Sequence, residues 1–322
     1  MGTIFCKKTL WIRMIALKIF IDKKFIPKGH YQILTERYTN VQFVHDLEEH
    51  QDIEVFFGLN STLLKVDLND YKNLKWIQLY MAGFDNVDVE GIKSKGIKIS
   101  NARDIFSITI AEDVIAKISY FNRNIKEFVD NMKSKNWQQI WKDYEIWHST
   151  IGIIGTGSIG QETAKRLRSF EPDKIIGHRT KNESVPNFDK IYTGDQGLID
   201  IMALADYLII AVPLNDSTQH MIHKDNLKHM KKSALLINVA RGQVIVQDDL
   251  IDILKNHRIR GAALDVTDPE PLPKDSKLWD LDNCFVTPHN ASSSQYMVPR
   301  LYELTIENLD RYMTGKTIKY LL

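Results

Sequence analysis

Residues Thr150–Gly160 read TIGIIGTGSIG. An apolar strand, Thr150–Ile154, enters Gly155-x-Gly157-x-x-Gly160, and a helical segment, Gln161–Ser169, leaves it. The glycines answer three different constraints. The first makes the tight turn, the second lets backbone approach a pyrophosphate, and the third lets the helix pack close to the strand. The helix start adds N–H groups and a partial positive charge facing the phosphates. With strand before and helix after, the pattern points to a dinucleotide site.

The next strand, Lys174–Gly177, runs into His178-Arg179-Thr180-Lys181. An acid about 20 residues beyond the glycines holds the ribose 2′-hydroxyl of NAD. Here Arg179 lies 19 residues after Gly160, and the next acid is Glu183. A carboxylate at this place repels a 2′-phosphate, whereas a guanidinium binds it in bidentate fashion. The expected cofactor is NADP, with NAD the alternative, and His178, Arg179 and Thr180 form the expected ribose contact.

Further from the turn, β-rich runs alternate with helical stretches throughout. Ala16–Ile21, Val41–Phe43, Val55–Gly58, Trp76–Leu79 and Lys98–Ser100 read as one series of strands. Thr150–Ile154, Lys174–Gly177, Lys190–Tyr192, Tyr207–Val212, Ala234–Val239, Gly261–Val266 and Asn283–Thr287 read as a second. A helix is expected over Ser107–Ile125, then a polar, Trp-bearing stretch to Ser149, and a last helix over Tyr296–Met313 that fits either series. This is the βαβ pattern of parallel sheets with both faces covered. The expected fold is α/β, with two doubly wound, Rossmann/flavodoxin-like parallel-sheet domains and a cleft between them.

Ligands of open α/β sheets sit outside the carboxyl ends of the strands. Three strands of the second series end in chemically capable groups. Ala234–Val239 runs into Arg241, Gly261–Val266 into Pro269-Glu270-Pro271, and Asn283–Thr287 into Pro288-His289. Together they suit hydride transfer between a nicotinamide and a carbonyl carbon. His289 can move the proton at the carbonyl oxygen. Glu270 orients its ring and keeps the acid form available, and Arg241 binds a substrate carboxylate. Asp265 suits either the nicotinamide carboxamide or structural support. Each residue alone also fits an ordinary surface role, and only their shared edge beside the glycines makes them a site.

Bulk composition narrows the alternatives. Forty-two Lys and Arg against 41 Asp and Glu leave a formal net charge of +1, so nothing draws the chain to nucleic acid or membrane. Cys6 and Cys284 lie far apart, which argues against a disulfide framework or cysteine metal site and suits the cytoplasm. Metal ligands are not expected. Leu10–Ile21 is apolar after Lys7 and Lys8, but Arg13 and Lys18 interrupt it, so a strand near Met14–Ile21 is expected rather than a leader. Residues 1–13 read as an extension, or translation starts at Met14.

The chain resembles the D-isomer-specific 2-hydroxyacid dehydrogenases, a group that includes glyoxylate/hydroxypyruvate reductases and phosphoglycerate dehydrogenases. The resemblance is carried by Leu74–Val87 (LKWIQLYMAGFDNV), Ile151–Gly160, Ala211–Leu214 with Thr218, Asn238–Gly242 (NVARG), Gly261–Pro273 (GAALDVTDPEPLP) and Thr287–His289. It implies Arg241, Glu270 and His289 as the catalytic set. It also implies cofactor contacts at Ser158, Ile159, Arg179, Val212, Pro213, Thr218, Val239 and Asp265, and Ala82 and Gly83 N–H groups on the substrate carboxylate. A discontinuous substrate domain (1–103 with 292–322), a dinucleotide domain (104–291) and a homodimer through the latter are implied as well. Glu171-Pro172 replaces a glycine-bearing loop, and only local change is expected there. The substrate is expected to be a small 2-ketoacid such as glyoxylate or hydroxypyruvate, with Tyr80, Met81 and Phe84 hinting at an apolar pocket. The competing class is a dinucleotide-sensing interaction protein on the same fold without a catalytic role.

Overall fold

A computed structural model of the chain describes residues 17–22 and 28–322. Met14–Ala16 of the expected first strand, and the expected extension 1–13, lie outside these residues. In chain order the elements are β1 (Leu17–Ile21), α1 (Lys28–Arg37), β2 (Val41–Val44), β3 (Val55–Gly58), α2 (Asn60–Leu63), β4 (Trp76–Leu79), α3 (Val89–Ser94) and β5 (Lys98–Ser100). Then follow α4 (Ser107–Asn122), α5 (Ile125–Lys133), β6 (Thr150–Ile154), α6 (Ser158–Leu167), β7 (Lys174–His178), β8 (Lys190–Tyr192) and α7 (Gly194–Leu204). The last are β9 (Tyr207–Ile210), α8 (Lys224–Leu227), β10 (Leu235–Asn238), α9 (Gln247–Lys255), β11 (Gly261–Leu264), β12 (Cys284–Val286) and α10 (Met297–Met313).

The chain forms two compact units. One takes the described residues up to Ala102 together with Arg300–Leu322, and the other is Arg103–Pro299. The second crossing falls later than the expected position after residue 291. Thr109 Oγ1 of α4 donates to the Ser293 carbonyl at 3.0 Å, which keeps that segment with the second unit.

In the first unit five parallel strands run in the order β2-β1-β3-β4-β5, the flavodoxin-like order. Strands β3 and β4 are buried along their whole length, as expected of strands covered on both faces. Helix α10 closes this unit. Leu301, Leu304 and Leu309 are buried on it, and Asn308 Nδ2 donates to Gln78 Oε1 of β4 at 2.8 Å. Tyr38 after α1 donates its hydroxyl to Asp310 at 2.7 Å.

In the second unit seven parallel strands run in the order β12-β11-β10-β9-β6-β7-β8. Winding proceeds outward from β6 in both directions, so the strand order reverses between β6 and β9. That is the switch point where a crevice opens at the carboxyl edge, and Gly155–Gly160 starts there. Four strands end sooner than expected, at Ile210, Asn238, Leu264 and Val286. Val212, Val239, Asp265 and Thr287 thereby stand in the loops of the carboxyl edge rather than in the ladder. The expected Ser107–Ile125 helix stops at Asn122 because Asn124 takes left-handed backbone, φ 49°. A separate helix, α5, then occupies part of the polar, Trp-bearing stretch. Glu171, at the position expected to change only locally, also takes left-handed backbone, φ 53°, a conformation that glycine adopts without cost.

The three glycines can now be separated by geometry. Gly155 has φ 99°, and an added Cβ would stand 2.5 Å from the Ala211 carbonyl oxygen. At Gly160 an added Cβ would stand 2.1 Å from the Gly155 oxygen, so α6 leaves directly over the turn. At Gly157 it would meet nothing within 4 Å. Gly160→Ala is therefore expected to cost about 1–3 kcal/mol of unfolding free energy through overpacking. Gly157→Ala, at the helix cap, is expected to cost under about 1 kcal/mol. Urea unfolding followed by tryptophan fluorescence checks this, and equal losses in the two variants contradict it.

Candidate active site

The turn after β6 has the features of a phosphate cradle. The first intrahelical bond of α6 runs from Gln161 N to Gly157 O at 2.9 Å. The N–H groups ahead of it, on Ser158, Ile159 and Gly160, therefore have no carbonyl of their own helix to bond. The surface beyond Gly157 is open. Ser158 shares a short hydrogen bond with Ser107, which fixes the start of α6 against the start of α4. Gly155 N donates to His178 O at 3.0 Å, joining the turn to the end of β7. An open backbone surface, available helix N–H groups and a position at the switch point together fit a dinucleotide pyrophosphate.

Around this turn the same edge gathers the other expected cofactor residues. Arg179 follows β7, and its guanidinium lies 3.6 Å from Glu183. His178 Nε2 lies 3.1 Å from the Gly194 carbonyl, and Thr180 is exposed beyond it. After β9, Thr218 Oγ1 donates to Pro213 O at 2.6 Å and fixes the loop that carries Val212 and Pro213. Val239 after β10 is nearly buried.

Strands β10, β11 and β12 are neighbours, so their ends bring Arg241, Glu270 and His289 to adjacent places. Asn238 shapes the first end: its side chain accepts from Ala240 N and donates to Arg241 O, each at 3.0 Å. Arg241 Nη1 donates to Ala240 O at 2.7 Å. Gly242 then passes against the β11 loop so closely that an added Cβ would stand 2.0 Å from Thr267 O. That contact couples the arginine loop to the glutamate loop.

The glutamate loop is held by Gln247 at the start of α9. Its amide donates to Asp268 O at 2.7 Å and accepts from Asp268 N at 3.0 Å. Glu270 Oε1 accepts from Thr267 N at 3.2 Å. Its other oxygen, Oε2, lies 2.8 Å from His289 Nδ1. A carboxylate only accepts, so Nδ1 is the donor and Nε2 is left for a second partner. Both side chains are partly exposed, 45% for His289 and 37% for Glu270, so a small molecule can reach the pair.

His289 has left-handed backbone, φ 51°, a sparsely populated state for a non-glycine residue that persists only when its surroundings enforce it. Asp265 does so. Its carbonyl accepts from His289 N at 2.7 Å. Its buried carboxylate accepts from Thr287 Oγ1 at 2.6 Å and from Asn290 N and Ala291 N at 3.0 Å each. Of the two roles open to Asp265, this geometry supplies the structural one.

Ala82 and Gly83 follow β4 in the first unit. Their carbonyls accept from Asn101 Nδ2 at 2.7 Å and Asn60 Nδ2 at 2.9 Å. The apolar pocket expected from Tyr80, Met81 and Phe84 needs correction. Tyr80 is fully buried, Phe84 packs on the core of the first unit, and only Met81 is exposed. Sequence reading missed Asn238, which shapes its own strand end, and Gln247 and Thr287, which bond across to the β11 end; Asn238 and Thr287 at least stand inside the matched motifs. Among the described residues no group of three His, Cys, Asp or Glu could hold a metal, and no helix is long and apolar enough to cross a membrane.

Comparison with known proteins identifies the family. Residues 115–291 match the family described as D-isomer specific 2-hydroxyacid dehydrogenase, NAD binding domain. The glyoxylate reductase of Pyrococcus horikoshii is 32% identical over 309 residues, which is 93% of this chain and 87% of that protein. The glyoxylate reductase/hydroxypyruvate reductase of Homo sapiens is 32% identical over 251 residues, 76% of this chain and 75% of that one. Among solved structures, a D-isomer specific 2-hydroxyacid dehydrogenase family protein from Aeromonas salmonicida shares the fold with a TM-score of 0.83. It covers 95% of this chain and 98% of its own, at 24% identity. The chain therefore belongs to the D-isomer specific 2-hydroxyacid dehydrogenase family, oxidoreductases that act on a CH–OH group with NAD(P).

Proposed function

We propose that this protein reduces a small 2-ketoacid, of the glyoxylate or hydroxypyruvate class, with NADPH as the preferred reductant. The observation that carries the reading is the 2.8 Å pair of His289 Nδ1 and Glu270 Oε2, which joins the ends of β12 and β11 beside β10, the strand that leads to Arg241. A dinucleotide held at the Gly155–Gly160 turn would supply the hydride that reduces the carbonyl carbon. Arg241 binds the substrate carboxylate. His289, its Nδ1 committed to Glu270, donates the Nε2 proton to the carbonyl oxygen as negative charge develops there. Glu270 steadies the imidazolium before transfer and fixes the tautomer after it. The names of the curated relatives support the substrate class.

General acid catalysis contributes about 10²–10⁴-fold to a rate. His289→Ala is expected to lose that much kcat with glyoxylate or hydroxypyruvate while still binding NADPH. The check is NADPH oxidation at 340 nm beside a binding titration. Near-normal turnover in the variant rejects the assignment.

The NADPH preference rests on Arg179. Its ion pair with Glu183 is at the surface, where such pairs are worth about 0–1 kcal/mol, so a 2′-phosphate can take the guanidinium over. A charge-assisted hydrogen bond contributes about 1.5–3 kcal/mol. Arg179→Ala is thus expected to lower kcat/KM for NADPH by about 10- to 100-fold and to change that for NADH by less than about threefold. A wild-type enzyme that prefers NADH overturns this part of the reading.

The protein acts as a homodimer through the dinucleotide unit. Helix α5 has no buried residue, yet Ile125, Phe128, Val129 and Met132 recur on it at helical spacing and are all exposed. Beyond it Trp137 is 100% and Trp141 84% exposed. An apolar surface of this extent marks an interaction site, and a second copy is the simplest closed partner. Sedimentation is expected to give twice the chain mass of 37.3 kDa, and Phe128→Glu with Trp137→Glu to give monomer. A monomeric wild type contradicts the assembly. The two cysteines suit a cytoplasmic setting, with burial pushing the Cys284 thiol up to about 12.

A further inference from the structure

Lys117 lies midway along α4 and is 1% exposed. Its neighbours on the buried face, Ala111, Val114 and Ile118, are all apolar. Burying an ammonium is costly unless it is paired. Its partners are both carboxylates: Asp113 one turn earlier, in a short hydrogen bond, and Asp265 Oδ1 at 3.9 Å. Asp265 is itself 3% exposed. It is the residue whose carboxylate receives Thr287 Oγ1, Asn290 N and Ala291 N around the His289 turn. A neutral Asp265 would present a donor where three donors already point. The turn therefore depends on Asp265 being ionised, and Lys117 is the cation beside it.

We infer that Lys117 is a positioning residue: its buried ammonium holds Asp265 as the anion that clamps the His289 turn. This rests on the reading of His289 as the proton donor. The cluster of Asp113, Lys117 and Asp265 carries one net negative charge, and neighbouring elements leave it to itself. On α6, which packs along α4, Arg166 faces Glu112 and Glu162. On α5 the charges Lys126, Asp130 and Lys133 pair with one another. Strand β10 carries no titratable side chain, and Glu270 faces His289. Burial pushes the Asp113 carboxyl up, with Lys117 pulling it down and Asp265 adding to the rise.

The sign of the effect follows. Without Lys117 two carboxylates share a buried site with no cation, and the pair takes up a proton more readily. The protonated cluster loses the clamp. Activity is then lost on the acid side of the pH profile and recovers as pH rises.

The test uses the full-length enzyme with NADPH and glyoxylate. Lys117→Met is expected to lower kcat on the acid side on the order of 10–100-fold, the scale of a misplaced catalytic group, with recovery toward alkaline pH. Adding Asp113→Asn removes one of the two carboxylates and is expected to move the acid limb back toward wild type, which a packing defect would not do. A Lys117→Met profile that overlays wild type overturns the inference. So does a pH-independent loss that Asp113→Asn leaves unrelieved. If Lys117→Met does not fold, Asp113→Asn alone decides: its acid limb stays in place or moves to lower pH, and an upward move overturns the inference. His289→Ala, run in parallel, separates the two claims. A dead His289→Ala with a wild-type Lys117→Met profile sinks only the role of Lys117, whereas an active His289→Ala sinks the reading beneath it.

Discussion

The Asp265 carboxylate sits in the interior of the dinucleotide unit and holds Thr287 Oγ1, Asn290 N and Ala291 N while its own carbonyl takes His289 N. Five residues of loop are thereby tied to one strand end. An uncompensated buried charge would be among the more expensive features a domain can carry, so the hydrogen bonds and Lys117 stabilise the site together. The consequence for chemistry is directional. With its backbone fixed in an uncommon conformation, His289 meets Glu270 through Nδ1, and Nε2 is left for a second partner.

The remaining geometry follows from sheet order. Because β6 lies where winding reverses, its glycine turn opens at a crevice rather than against a neighbouring connection. Because β10, β11 and β12 are consecutive in the sheet, their ends bring an arginine, a glutamate and a histidine side by side. Gly242 tightens the arrangement, since the Arg241 loop approaches Thr267 closer than any side chain would allow. The same parallel sheet thus carries two features, the glycine turn at its middle and the His289–Glu270 pair toward its edge.

Much of this was legible in the sequence, for physical reasons. Glycine constraints are local, so Gly155, Gly157 and Gly160 announce the turn before any fold is known. Strands buried on both faces read as short apolar runs, which located the two series of strands. The polar groups that end them marked the site edge. Strand ends were overextended because Val212, Val239 and Thr287 favour strands while serving in loops. Helix α5 was hidden by the left-handed break at Asn124 and by apolar residues that stay exposed on it. Tyr80 stands just past the end of β4, where residue type alone does not tell a side chain turned into the core from one lining a pocket. The interloop bonds of Gln247 and Asp265, and the proximity of Lys117 to Asp265 across 148 positions of chain, exist only once the sheet is assembled.

This edge is proposed to deliver a hydride and a proton to the carbonyl of a 2-ketoacid. The most direct measurement follows the hydride itself, by mass spectrometry of the product formed from hydroxypyruvate and NADPH deuterated at the transferring face of C4. The expected product is D-glycerate with one deuterium at C2 for each NADPH consumed. Product without deuterium, or no consumption of NADPH with either hydroxypyruvate or glyoxylate, contradicts it.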